Sequence, residues 1–196
     1  MTDSSKPFPI IDLGDFILRE KGANESDVEN FLRYYSDPKV NKFILCQMPQ
    51  NLDEARKDLF YWRDIFYQND GVYFAIADKV DDRLIGSIGL TSHNTYQSRI
   101  ELSYDLASEY WRRGITSAAI REVLKYAFET LRVNRVEAFV AVGNIPSKNL
   151  LLKSGFTIEG ILREHRYHRG LYVDVFSFSL LRSEFFGGGQ QEEIKS

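Results

Sequence analysis

Two short segments carry residues whose types and spacing suit the holding of an anion. The first is Leu106-Ala107-Ser108-Glu109-Tyr110-Trp111-Arg112-Arg113-Gly114-Ile115-Thr116-Ser117-Ala118, with two arginines, a glycine and small hydroxyl residues where an extended pattern gives way to a helical one. Uncovered backbone N–H groups at such a start, with about half a positive charge from the helix dipole, meet the requirements of a pyrophosphate. The same composition also serves an ordinary strand-to-helix loop, so the segment alone leaves both readings open. Neither Gly-x-x-x-x-Gly-Lys-Ser/Thr nor Gly-x-Gly-x-x-Gly occurs, which removes the usual anchors of nucleotide hydrolysis and dinucleotide binding. The second segment is Asn144-Ile145-Pro146-Ser147-Lys148-Asn149-Leu150-Leu151-Leu152-Lys153-Ser154-Gly155-Phe156. Its local reading is that Asn144 or Ser147 caps a short helix and Gly155 ends it. Both segments follow strands of one βαβ unit, so their polar groups face the same end of a sheet, where ligands bind in such units.

The elements that must position these residues follow from periodicity. Residues 9–19 are dense in branched and aromatic side chains between Pro9 and polar residues, and read as one strand. Ser26 and Glu29 have capping-box spacing ahead of Val28, Phe31, Leu32 and Tyr35, a first amphipathic helix. Asn51 and Glu54 repeat that spacing, and Leu52, Ala55, Leu59, Trp62 and Phe66 carry a second helix to about Tyr67. Residues 72–77 and 84–90 read as a hairpin, and Ile100, Leu102, Tyr104 and Leu106 alternate with polar residues as a strand with one buried face. A helical stripe from Ile120 to Leu131 follows, and then residues 136–142, apolar enough to be a central strand covered on both faces. Residues 156–161 and 172–181 read as two strands joined by a polar loop, 163–170. The sum is an α/β (α+β) domain: a mixed, mostly antiparallel sheet of about seven strands, with a splayed parallel pair and helices on both faces.

Composition bounds the remaining choices. The 196 residues suit one domain, taken as residues 7–185, with the polar stretch 186–196 expected to be a flexible tail. Hydrophobic residues make up 43% and aromatics 14%, which excludes disorder of the whole chain. A net charge of −3 argues against nucleic acid as a direct partner. No apolar run approaches the roughly 18–20 residues of a bilayer-spanning helix, and the polar N-terminus lacks the core of a secretory signal. A cytoplasmic location, without a membrane partner, is therefore expected. Cys46, the single cysteine, forms no internal disulfide and reads as a small buried hydrophobe. His165 and His168 lie in a basic stretch with Arg163, Arg166 and Arg169. On extended backbone a His-x-x-His pair points to opposite faces, so no metal site is expected. The stretch reads either as a solvated loop or as a rim that selects an acidic or polar ligand, or a protein surface.

Taken together, these segments resemble the GNAT superfamily of acyl-CoA-dependent N-acetyltransferases, in the branch of the ribosomal-protein N-terminal alanine and serine acetyltransferases. The resemblance is carried by residues 101–106 leading to 110–116, by Asn144 through Ser147 to Lys153-Ser154-Gly155-Phe156, and by Glu159-Gly160-Ile161-Leu162-Arg163-Glu164 with Gly170, Asp174 and Ser179-Leu180-Leu181. It implies an acetyl-CoA-dependent enzyme acting on an amine, above all the α-amino group of a protein N-terminus, as a monomer or homodimer and without a metal. A small amine such as a polyamine, amino sugar or antibiotic is the alternative acceptor, and a non-catalytic acyl-CoA-binding module the alternative role. By the same resemblance Leu106 offers backbone groups to the pantetheine arm, while Arg112, Arg113, Gly114, Thr116 and Ser117 cradle the pyrophosphate. Asn144 and Asn149 supply further cofactor contacts. The family commonly has glycine at the position of Arg112 and glycine or alanine at that of Thr116.

Transfer to an amine requires its neutral form, and an α-amino group with a pKa near 8 needs only a modest base. Glu101, on one strand face with Ser103 and Asp105, is the candidate base; a salt-bridged surface glutamate is its other reading. Many members of the superfamily carry a tyrosine acid seven residues beyond the motif asparagine, where this chain has Leu151. Ser147 is then the candidate to serve the leaving sulfur, or else only a capping residue. Tyr104 reads as core, and Tyr34, Tyr35, Trp62 and Tyr73 as core residues some of which could line an acceptor slot.

Overall fold

Local sequence chemistry decides where the first elements begin. The computed structural model describes residues 6–187. Within 9–19 the Asp12 side chain accepts a hydrogen bond from Gly14 N at 2.7 Å, and Gly14 takes φ +84°, a turn conformation open to glycine. The single expected strand is thereby folded into two antiparallel ones, β1 (Ile11–Asp12) and β2 (Phe16–Glu20). The expected capping box of α1 (Ser26–Tyr35) does not form, because Ser26 already lies inside the first turn and no side chain caps the helix. The start of α1 is fixed instead by Asp27, which is fully buried and accepts from both terminal nitrogens of Arg19 at 2.7 and 2.8 Å and from Gly22 N at 3.0 Å. A short helix absent from the sequence expectations, α2 (Pro38–Asn41), is capped by Asp37, which accepts from Lys39 N at 2.9 Å. At α3 (Leu52–Tyr67) the expected cap is present: Asn51 Oδ1 accepts from Glu54 N at 2.9 Å.

The remaining elements are β3 (Val72–Asp78), β4 (Leu84–Asn94), β5 (Arg99–Leu106), α4 (Ile115–Lys125), β6 (Arg135–Ala141), α5 (Ile145–Lys153), β7 (Thr157–His168), β8 (Leu171–Leu181) and α6 (Arg182–Gly187). All eight strands form one sheet in the order β1-β2-β3-β4-β5-β6-β8-β7, one more than the seven expected because the first is divided. Adjacent residues of β3 show that both faces are covered. The Tyr73 ring packs on Trp62 of α3 at 4.8 Å between centroids, and the Phe74 ring, on the other face, meets Tyr126 beyond α4 at 6.1 Å.

The polar segment 163–170 is not a loop. β7 and β8 continue through it and join at Arg169–Gly170, whose φ values of +50° and +84° are those of a tight primed hairpin turn. β6 is covered on one face only: Val136, Ala138 and Val140 are buried, while Glu137, Phe139 and Ala141 are half-buried. At the C-terminal end, Phe186 and Gly187 of the expected tail are helical in α6, and residues 188–196 lie outside the described residues.

β5 and β6 form the one parallel pair among the described strands, and they pair only at Arg99↔Arg135, Ile100↔Val136 and Glu101↔Glu137. Beyond Glu101 they part. β5 stays in register with β4 and β6 with β8, so the sheet opens as a fork.

Loss of Asp27 strips Arg19 and Gly22 N of a buried acceptor, but Arg19 keeps Asp82 at 2.7 Å. Asp27→Ala is therefore expected to lower stability by about 1–3 kcal/mol in urea unfolding, while Ser26→Ala changes it by no more than about 0.5 kcal/mol.

Candidate active site

The fork sets the positions of the candidate residues. Its closed end is tied by Arg99–Glu137 at 2.7 Å and Arg135–Glu137 at 2.9 Å, and by the contact of Arg135 with Glu159. Glu101, the last paired residue of β5, stands where the strands diverge. From there a cleft of about 390 Å³ runs between the strands, walled by Leu102–Asp105 of β5 and residues 138–141 of β6. Asn144, Ser147 and Leu151 of α5 line it, as do Tyr35, Trp62, Tyr73 and Lys21 from the N-terminal half.

On β5, alternation sends Glu101, Ser103 and Asp105 to the face covered by α1 and α3. Glu101 accepts from Arg166 of β7 at 3.2 Å. Burial pushes its carboxyl above the usual range, with Arg166 pulling the other way. The glutamate is thus both salt-bridged and inside the cleft. Ser103 donates to the Tyr73 hydroxyl at 3.1 Å. Asp105 accepts from Tyr34 at 2.7 Å and Tyr35 at 3.3 Å, and burial raises its pKa despite Lys21 and those hydroxyls.

Tyr104 faces the opposite way. Its ring packs against the core, but its hydroxyl reaches Ser147 Oγ at 2.8 Å in the cleft, so it is more than a core residue. Burial raises the Tyr104 pKa to about 12. Ser147 N donates to Asn144 Oδ1 at 3.2 Å, the expected helix cap, which leaves the Asn144 side-chain N–H₂ without a partner among the described residues. Leu151 is fully buried in the wall. Asn149 is exposed on α5 and does not line the cleft.

The loop from β5 to α4 lies at the open end of the fork. The backbone N–H groups of residues 112–117 meet no acceptor among the described residues, the first bond of α4 being Ala118 N to Gly114 O at 3.0 Å. Gly114 takes φ +78° with open space around it. Arg112 takes φ +64°, a left-handed conformation that costs a non-glycine residue about 1–2 kcal/mol. That conformation is one glycine adopts freely, so Arg112 carries a side chain where the resemblance leads one to expect glycine. Arg113 lies over the Tyr110 ring at 5.0 Å. Thr116 is half-buried and Ser117 exposed in the first turn. The Leu106 carbonyl accepts from the Trp111 indole at 2.8 Å, which leaves one lone pair for another donor.

Two positions differ from their sequence readings, and a third, Lys21, had none. Cys46 is solvent-accessible at the cleft rather than buried, because it lies in the irregular segment before α3. Desolvation and Asp105 raise its thiol pKa, so it is not primed as a nucleophile. Arg166 belongs to the site rather than to a solvated loop, because β7 continues as a strand. Lys21, buried at the end of β2 with 1% exposure, had only one signal, its place on the alternate-residue face of Ile17 and Arg19. Among the described residues no cluster of three potential metal ligands occurs.

A forked sheet with an amide-rich helix start at its open end and a carboxylate at its crotch is the arrangement expected above of an acyl-group transferase. Residues 16–157 match the model of the acetyltransferase (GNAT) domain, and the chain belongs to this family. It is 33% identical over 170 residues to a Bacillus licheniformis protein named "Uncharacterized N-acetyltransferase p20", covering 87% of this chain and 94% of that protein. It is also 33% identical over 145 residues to "Putative ribosomal N-acetyltransferase YdaF" of Bacillus subtilis (strain 168), covering 74% and 78%. The fold superposes with a TM-score of 0.74 and 23% identity on spermidine N-acetyltransferase from Vibrio cholerae in complex with CoA and spermine, over 88% of this chain and 98% of that one.

The cleft depends on a close approach at Gly89. In the register Tyr73↔Gly89↔Ser103, the Tyr73 ring crosses β4 so tightly that a Cβ at position 89 would stand 2.2 Å from it. Gly89→Ala is expected to displace the ring, lowering stability by about 1–3 kcal/mol in denaturant unfolding and quenching or shifting the emission of Trp62, which packs on that ring.

Proposed function

We propose that this chain transfers the acetyl group of acetyl-coenzyme A to the α-amino group of a protein N-terminus in the cytoplasm. One observation carries the reading: unpaired amides at the start of α4 and parted edges of β5 and β6 lie at the same end of the sheet, a combination suited to a diphosphate joined to an extended arm. In this reading Arg112, Arg113, Gly114, Thr116 and Ser117 hold the pyrophosphate. The free lone pair of Leu106 and the unpartnered amide nitrogen of Asn144 hold the arm, with Asn149 at its outer end. The bound thioester supplies the activated acyl carbon.

Glu101 takes the proton from the acceptor, directly or through water, and burial, by raising its pKa, makes it a stronger base than an exposed carboxylate. The neutral amine then forms the new N–C bond, the C–S bond breaks, and the thiolate leaves. Tyr104, with a pKa of about 12, lies about 3.5 units above a thiol, so full proton transfer from it costs about 5 kcal/mol. The Tyr104–Ser147 pair therefore steadies the thiolate by hydrogen bonding, and the proton that finally neutralises it comes from the nitrogen.

The acceptor assignment is supported by the YdaF relative and by the charges of the cleft. Its two carboxylates are already served, Glu101 by Arg166 and Asp105 by two tyrosines, whereas a polyamine calls for carboxylates in excess. A small amine is the second reading, favoured by the enclosed volume of about 390 Å³.

Three measurements test this. Charge reversal at Arg112 and Arg113 is expected to weaken coenzyme A binding at least tenfold in calorimetry, and an unchanged affinity refutes the cofactor assignment. In a thiol-release screen, peptides with free N-termini are expected to turn over and polyamines not; turnover confined to small amines refutes the protein acceptor. The activity kcat/KM is expected to fall as pH drops through the raised pKa of Glu101, because the protonated carboxyl accepts no proton. Glu101→Gln should remove that limb and lower kcat/KM about 100-fold.

A further inference from the structure

Lys21 has no role in the chemistry above, yet it is among the largest fully buried side chains of the protein. It lines the cleft, and its ammonium forms neither a hydrogen bond nor an ion pair with any described residue. It rests over the faces of Tyr73 and Phe31, with Nζ 4.6 and 5.1 Å from the ring centroids. Ring faces attract a cation but accept none of its three N–H groups in the manner of an oxygen. The carboxylates around it are committed elsewhere or more exposed: Asp105 to Tyr34 and Tyr35, Asp27 to Arg19, while Asp58 of α3 is half-buried. Burial lowers the Lys21 pKa to about 8, against the pull of Asp105, Cys46, Asp58 and Asp27, so the group stays largely charged at neutral pH.

A buried, charged ammonium without an oxygen partner is costly unless a ligand supplies one. We propose that Lys21 binds a carboxylate carried by the acceptor, a few bonds from the amine that is acetylated. This rests on the acetyl-transfer reading and narrows its acceptor. A single negative charge fits better than a phosphate dianion, because Asp105 and Glu101 already bring negative charge to the same cleft. Lys21 and Glu101 line the same cleft, so an acceptor whose amine meets Glu101 can bring a carboxylate to Lys21. The side chain of an acidic first residue offers one a few bonds from the amine, and a free amino acid offers the same carboxylate closer to its nitrogen.

The test compares acceptors with and without the anion, at equal concentrations of neutral amine: C-terminally amidated tetrapeptides beginning with Glu or Gln, and free amino acids beside their amides. With acetyl-CoA and thiol release, the wild type is expected to show a KM at least tenfold lower for the carboxylate member of a pair. The peptide and amino-acid arms distinguish the two sources. In Lys21→Met, which fills the space without charge, the ratio should fall to about 1, and in Lys21→Arg it should persist. A wild-type ratio near 1, or a ratio kept by Lys21→Met, overturns the proposal. Calorimetric binding of the same pairs separates the two layers of inference. A carboxylate preference lost in Lys21→Met but accompanied by no thiol release from any acceptor would remove the acetyl-transfer reading and leave the anion site standing. Equal binding of both members would remove the anion site whatever the turnover.

Discussion

The divergence of β5 and β6 is the constraint on which the rest of the molecule depends. Two parallel strands that stayed paired would satisfy each other's backbone and leave no room between them. Here three register pairs hold the closed end, reinforced by the arginine and glutamate pairs around Glu137, while each strand keeps its full antiparallel partner on the outside. The backbone groups facing the gap are then exposed without loss of the sheet, since β4 and β8 continue to support the two arms. A glutamate at the point of divergence and a helix start beyond the open tip follow from chain order alone.

Polar groups around the gap sort into two faces of β5. Tyr104 turns toward α5 and Ser147, where the sulfur of a thioester would leave. Glu101, Ser103 and Asp105 turn toward the aromatic wall built by α1, α3 and β3, where an acceptor would enter. In the proposed reading, the alternation of one strand separates the two halves of the chemistry by the thickness of a backbone. Gly89 admits the aromatic wall, because any side chain there would stand where the Tyr73 ring passes.

Much of this was legible in the amino-acid order. Period-two alternation located β5 and assigned Glu101, Ser103 and Asp105 to one face, and the Asn51 cap and the Asn144–Gly155 helix appear where their spacing placed them. What was not legible depended on partners distant in sequence. Ser26 lost its capping role because Asp27 is held by Arg19, eight residues earlier. The segment 163–170 looked like a loop because its charges are those of a solvated turn, yet the pairing partner that makes it a strand lies in β8. Lys21 carried no mark of burial beyond its place in the alternation with Ile17 and Arg19, and Tyr104 no mark of its reach to Ser147, since both follow from packing across elements.

The strand order β6-β8-β7 bears on how the molecule comes into being. β8, the last of the described strands, is inserted between two earlier ones and becomes the outer support of one arm of the fork. During synthesis on a ribosome β6 waits with one edge bare until some forty residues more have emerged, roughly the span from its own end to that of β8. Support for that arm of the fork therefore comes in a single late step rather than growing with the nascent chain, and a fragment stopping after β7 would leave the edge of β6 exposed.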